Sequence, residues 1–344
     1  MKPVEFLYLS QEDVVAAGGL DMDGTLATVE EAFRLWALGD VVQPTKSTIR
    51  WGPPPTENTR GRIIAMAAYV GGGVDTAGVK WIPSMPGNPR EHGLPRACAL
   101  IILSDPHTGL PLAVMDGTVI SAMRTGAATG VAAKYLARKD SAILGLVGAG
   151  VQNRTQLLAL CQALPRLTEV RIFDLNPERA RAFCVEMQKQ VRPPLRVMEG
   201  ARAAIEGADA FVTATVSGEA YVEADWIKVG AFHSEISSWD THLATLAVYD
   251  KIVVDEWGSI RNGGKHVSIR AIAASVIPES RMHAELGDIV AGKKSGRQKA
   301  DERILFNPIG MPINDVSEAT RIYRAAKAKG IGRVLPLWET PIWV

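Results

Sequence analysis

The residues of this chain best suited to chemistry are a turn, Gly148-Ala149-Gly150, and an acid, Asp174. Glycines at the first two positions of such a turn let the backbone approach a pyrophosphate, and the helix that follows offers free N–H groups and a positive dipole end. The third position of the G-x-G-x-x-G pattern is Asn153, so slightly looser packing of helix on strand is expected there. Gly-x-Gly alone is an ordinary turn. What gives it meaning is Asp174, which ends the next apolar run about 20 residues on, where a carboxylate accepts hydrogen bonds from the adenosine ribose hydroxyls. The same carboxylate repels a 2′-phosphate, which favours NAD(H) over NADP(H); Arg179 and Arg181 read as solvated residues of a surface helix. None of the six histidines shows H-E-x-x-H or clustered spacing, so no metal site is expected.

Those residues need a scaffold. From Ser141 the chain alternates strand and helix: Ala142–Val147 is continuously apolar, Gln152–Leu164 has helical spacing, and Val170–Phe173 is a second apolar run. A helix over Asn176–Val191 and strands over Ala210–Val216 and Lys251–Val254 continue the pattern. Continuous apolarity suits a parallel sheet covered on both faces, hence a Rossmann-type nucleotide domain. Upstream, a helix over Asp23–Leu38 closes at Gly39-Asp40, and apolar runs at 63–70, 78–82, 98–103 and 112–115, parted by turn residues, read as an antiparallel meander. Ala122–Leu136 is an Ala/Gly-rich helix, and a last helix is expected over Glu318–Lys329, followed by a loop-like tail. The expected fold is α/β, with residues 122–313 as an NAD-binding domain inserted in an α+β substrate and dimerisation domain, residues 1–121 and 314–344.

Composition narrows the partners. A chain of 344 residues has room for two cores, and its 38 basic and 37 acidic residues nearly cancel without a Lys/Arg block, so neither nucleic acid nor an anionic membrane is expected. No stretch nears the roughly 18 apolar residues of a spanning helix. Cys98, Cys161 and Cys184 lack paired spacing, which fits thiols in the cytoplasm.

The run from Ala77 to Arg138 resembles the ornithine cyclodeaminase/mu-crystallin family: AGVKW with Lys80, Asn88 and GLP at 93–95, DPHTGLPLAVMDG at 105–117, and RTGAATG at 124–130. HSEISSWD at 233–240, SGR at 295–297 and FNPIGMPINDV at 306–316 resemble the family's later segments. The resemblance implies an NAD(P)-dependent reaction at the α-carbon of an amino or imino acid, and a homodimer formed through the meander domain. Lys80 and Arg124 match the family's carboxylate-anchoring positions, and Asp240 its catalytic aspartate.

Physical chemistry suits those roles. Arg124 offers a fork to a carboxylate. A lysine buried in an apolar strand has a lowered pKa, so Lys80 could activate water or protonate an imine. Asp240 could take the amine proton or stabilise an iminium. Lys46, in Pro44-Thr45-Lys46, replaces the family's common Pro-x-Arg with a point charge. The candidate cofactor set is Thr125, Gly148, Ala149, Gly150, Val151, Gln152, Asp174, Thr213, Ala214 and Thr215. Where ornithine-cyclising members carry an acid, this chain has Ile64-Ala65-Met66-Ala67, so a diamino substrate loses its partner; Trp81 and Met85 near Lys80 lean toward a more apolar side chain. An imine reductase or amino-acid dehydrogenase is therefore expected, with two alternatives: cyclodeamination with recycled NAD, and a non-catalytic NAD(H)-binding subunit.

Overall fold

The computed structural model describes residues 2–52, 61–263 and 266–343, and the chain divides into two compact units, Met1–Arg124 with Met311–Val344, and Thr125–Gly310.

The first unit is built on one sheet of eight strands. These are β1 (Val4–Leu9), β2 (Val41–Val42), β3 (Ser47–Trp51), β4 (Gly61–Val70), β5 (Thr76–Ser84), β6 (Leu100–Ser104), β7 (Pro111–Asp116) and, from the far end of the chain, β16 (Arg333–Trp338). Their order is β16-β1-β7-β6-β5-β4-β2, with β3 also beside β4. Strands β4 to β7 form the expected antiparallel meander. The turn between β6 and β7 closes through Asp105, whose carboxylate accepts the N–H groups of His107 and Thr108, and through Gly109 in the left-handed region at φ +73°. The helix Met22–Leu38 starts on the Asp21 cap and stops at Gly39, also left-handed.

The C-terminal helix packs on the face of β4, β5 and β6. It spans Pro312–Lys329, two turns earlier than its apolar spacing indicates, with Pro312 in its first turn, where a missing N–H costs nothing. Close approach is permitted by Gly78, where a Cβ would meet Ile102 O at 2.8 Å and Val316 Cγ2 at 3.3 Å. The tail is not a loop: β16 pairs antiparallel with β1, which itself runs parallel to β7. Pro336 within β16 is compatible with its place at the sheet edge.

The second unit holds β8 (Ile143–Val147), β9 (Glu169–Phe173), β10 (Leu195–Val197), β11 (Ala210–Thr213), β12 (Phe232–Glu235), β13 (Lys251–Val254), β14 (Met282–Glu285) and β15 (Ile304–Phe306). All pair in parallel, in the order β10-β9-β8-β11-β12-β15-β13-β14. Four consecutive residues of β11, β12 and β13 are buried, as strands covered on both faces require. The first crossover helices are Val151–Ala163 and Pro177–Met187. The strand order runs outward from β8 to one side and then, from β11, to the other, so the switch point of this doubly wound sheet lies between the carboxyl ends of β8 and β11. Among the described residues no helix is long and apolar enough to cross a membrane, and no group of His, Cys, Asp or Glu could hold a metal ion.

Candidate active site

Lys80 lies at the middle of β5 and is completely buried, its ammonium 2.8 Å from Asp315 Oδ1 and 3.0 Å from Ser121 Oγ. Arg124 Nε donates to the same Asp315 oxygen at 3.0 Å, and Asp315 is itself fully buried in the first turn of the C-terminal helix. Two buried cations thus share one carboxylate, and the other oxygen of that carboxylate, Oδ2, has no hydrogen-bond partner among the described residues. With both cations protonated the cluster carries one surplus positive charge. Burial, then Arg124 and more weakly Lys46, draw the Lys80 pKa down to about 7 against the raising effect of Asp315. Lys46 precedes β3 by one residue and is half-buried.

The position opposite Lys80 on β4 is Met66, not an acid, and no Asp or Glu occurs in β3, β4 or β5. Trp81 corrects an expectation. Side chains alternate along a strand, so Trp81 points to the sheet face opposite Lys80 and is 41% exposed; it is no wall of a substrate site.

In the second unit the glycine loop sits at the end of β8. Gly148 has φ +98°, and a Cβ there would meet Ala214 O at 2.7 Å, so glycine brings the loop against Thr213–Thr215 at the end of β11. Around Gly150 a Cβ would meet nothing within 4 Å, and the helix Val151–Ala163 begins there without a side-chain cap. Open space beside uncapped N–H groups at the switch point fits a pyrophosphate. Asp174 ends this wall: its carboxylate accepts the Ala149 N–H at 2.7 Å and the Asn176 N–H at 2.9 Å, and retains lone pairs for ribose hydroxyls. Asn153 does not loosen the packing as expected. It is fully buried and its amide donates to Val147 O at 2.9 Å and Gly148 O at 2.5 Å, tying helix to strand end. Val151 is mostly exposed, the Gln152 Oε1 is buried without a hydrogen-bond partner among the described residues, and the Thr125 carbonyl accepts from Gln156.

Asp240 is fully buried. Its Oδ1 accepts the Thr215 hydroxyl at 2.6 Å, while its own N–H donates to Glu235 Oε1 at 2.8 Å. Burial pushes the Glu235 carboxyl up to about 7 even though it accepts backbone N–H groups. His233, between Thr213 and Tyr249 and stacked on Phe211, is held neutral by burial, its pKa drawn to about 3.

The structure therefore gathers Lys80, Arg124 and Lys46 in the first unit, and Gly148–Gln152, Asp174, Thr213–Thr215 and Asp240 in the second. Sequence reasoning missed Asp315 and Glu235. The signal for Asp315 was Pro312, which as a helix-starting proline puts Asp315 in the first turn. Glu235, the last residue of the buried strand Phe232–Glu235, carried no comparable mark.

Comparison with known proteins places this geometry. The model described as ornithine cyclodeaminase/mu-crystallin family matches residues 7–330. The N-((2S)-2-amino-2-carboxyethyl)-L-glutamate dehydrogenase of Staphylococcus aureus is 37% identical over 336 residues, covering 97% of this chain and 99% of that protein. The Delta(1)-pyrroline-2-carboxylate reductase of Thermococcus litoralis, solved with NADH and L-proline, superposes with a TM-score of 0.88 at 36% identity, over 95% of this chain and 99% of its own. An archaeal alanine dehydrogenase dimer with bound NAD gives 0.87 at 34% identity, over 97% and 100%.

Proposed function

Because this chain belongs to the ornithine cyclodeaminase/mu-crystallin family, we propose that it is an NAD(H)-dependent oxidoreductase acting at the α-carbon of an amino acid or the corresponding α-imino acid. The observation that carries the reading is Asp315 shared by Lys80 and Arg124. One carboxylate between two buried cations leaves a positive site that a second carboxylate, the substrate's, would neutralise. Arg124 and Lys80 hold it, with Lys46 adding charge. The loop Gly148–Gln152 takes the pyrophosphate, Asp174 the ribose hydroxyls, and Thr125 and Thr213–Thr215 line the cofactor's path. When bound, NAD(H) supplies or accepts the hydride. Asp240, bonded to the Thr215 hydroxyl, takes up the substrate nitrogen's proton through that hydroxyl.

We further propose a homodimer through the sheet face that carries Trp81. Tyr8, Ile49, Leu100 and Ile102 share that face with it by register and are each more than a third exposed. A solvent-facing apolar patch of this kind marks a protein interface, and a structural neighbour is a dimer. The three free thiols and a soluble nucleotide cofactor suit the cytoplasm.

The test is turnover. Purified protein should oxidise NADH in the presence of α-imino acids formed from 2-oxo acids and amines, with NADPH clearly poorer. Lys80→Ala should lower kcat/KM by about a hundredfold or more and leave NADH binding unchanged. Tight NADH binding without turnover on a broad panel would overturn the enzyme reading; ammonia release without net NADH change would replace it with cyclodeamination.

A further inference from the structure

Asp240 is held by its backbone as well as by its side chain. While its Oδ1 accepts the Thr215 hydroxyl, its carbonyl oxygen accepts the N–H groups of Tyr221 and Val222 at 2.8 and 2.9 Å, and its own N–H donates to Glu235 Oε1 at 2.8 Å. The next N–H, that of Thr241, donates to the same Glu235 oxygen at 3.3 Å, and Thr241 forms a parallel bridge with Val222. Glu235 thus holds the 240–241 turn at two successive N–H groups.

Glu235 is itself fixed. It is completely buried at the end of β12, opposite Thr213 of β11, and its carbonyl accepts Asn307 Nδ2 at 3.2 Å. Asn307, also fully buried, belongs to the segment FNPIGMPINDV; its N–H donates to Val253 O at 2.9 Å and its Oδ1 accepts the Ser268 hydroxyl at 3.0 Å. A carboxyl group in such a place costs desolvation that an apolar residue would avoid, and the two N–H groups that it satisfies offset that cost. Burial raises its pKa to about 7 against the lowering effect of those N–H groups, so below neutrality it serves as an acceptor without a charge.

We propose that Glu235 is a positioning residue for the reaction: by accepting the N–H groups of Asp240 and Thr241 it fixes the turn from which the Asp240 carboxylate reaches the Thr215 hydroxyl. This deepens the reading above and rests on it for the role of Asp240. Reach and acceptor geometry matter here, not acidity. Carboxyl and amide oxygens both accept N–H groups, so glutamine can replace Glu235, whereas aspartate, one methylene shorter, cannot hold both.

The experiment joins amide exchange of the NADH-saturated protein to steady-state kinetics. In Glu235→Ala, exchange within residues 236–242, read by mass spectrometry, should quicken about tenfold or more. In the same variant kcat should fall about tenfold to a hundredfold, while NADH affinity stays within about twofold. Glu235→Asp, a milder change to the packing, should behave like Glu235→Ala, and Glu235→Gln should recover most of both losses. In an Asp240→Asn background Glu235→Ala should lower the residual kcat by no more than about twofold, since a residue that acts through Asp240 loses its effect once that carboxylate is gone. Additive losses, or Glu235→Asp outperforming Glu235→Gln, overturn the positioning role, as does unchanged exchange in Glu235→Ala. Faster exchange in Glu235→Ala, in a protein whose turnover does not need Asp240, supports Glu235 as the anchor of the turn and removes the proton role of Asp240 instead.

Discussion

At the scale of single residues, Lys80, the proposed carboxylate anchor, should decide the pH behaviour. Its ammonium, not its amine, attracts a carboxylate, and burial sets the balance between them near pH 7. Below that pH the anchor is charged; as pH rises through about 7 it is lost, so kcat/KM should fall along the alkaline limb. A bound carboxylate raises the lysine's pKa, so kcat should hold to higher pH than kcat/KM. Lys80→Arg, always charged, should move the limb upward by more than a unit. A limb unmoved in that variant would assign the titration elsewhere, Glu235 being the other group near 7. Stability has its own sign. Between about 7 and the ordinary lysine value of 10.5 the unfolded chain binds the extra proton, so the cost of burying Lys80 is relieved as pH rises through that window.

At the scale of elements, the C-terminal helix is more than cover for the meander: its first turn brings the anion that Lys80 and Arg124 share. Removing it leaves two uncompensated buried cations. Asp315→Ala should cost about 3–5 kcal/mol of unfolding free energy, read from denaturant midpoints near neutral pH. A loss below about 1 kcal/mol would mean that the cations are hydrated and the cluster is not a buried one. The nucleotide loop teaches a related lesson. Its third glycine is replaced by Asn153, which reads from sequence as a weakness, yet the buried amide binds the two carbonyls at the end of β8. Steric fit, the usual reason for a glycine there, is exchanged for hydrogen bonds, which only the tertiary structure decides.

At the scale of the molecule, the proposed homodimer rests on the apolar face that holds Trp81, Leu100 and Ile102. Trp81→Glu together with Ile102→Lys should convert a dimer to monomers in sedimentation velocity while NADH affinity stays within about twofold, since surface changes remote from a site perturb it little. A wild-type monomer at micromolar concentration would refute the homodimer.

The local patterns were legible because they are one-dimensional. Continuous apolar strands, the helix closed by Gly39, the meander and the strand–helix alternation from Ser141 all follow from periodicity and turn chemistry within a few residues. So did NAD(H), since a glycine loop and an acid at the next strand end are linked by chain distance alone. Contacts made across the chain were not legible. Strand β16 returns from the C-terminus to pair with β1, and Asp315 meets Lys80 across 235 positions. The face to which Trp81 points depends on register, which a run of apolar residues leaves open. Periodicity settles which residues are buried and in what kind of element. Which charges meet is decided by packing, because electrostatic partners are chosen by distance in space.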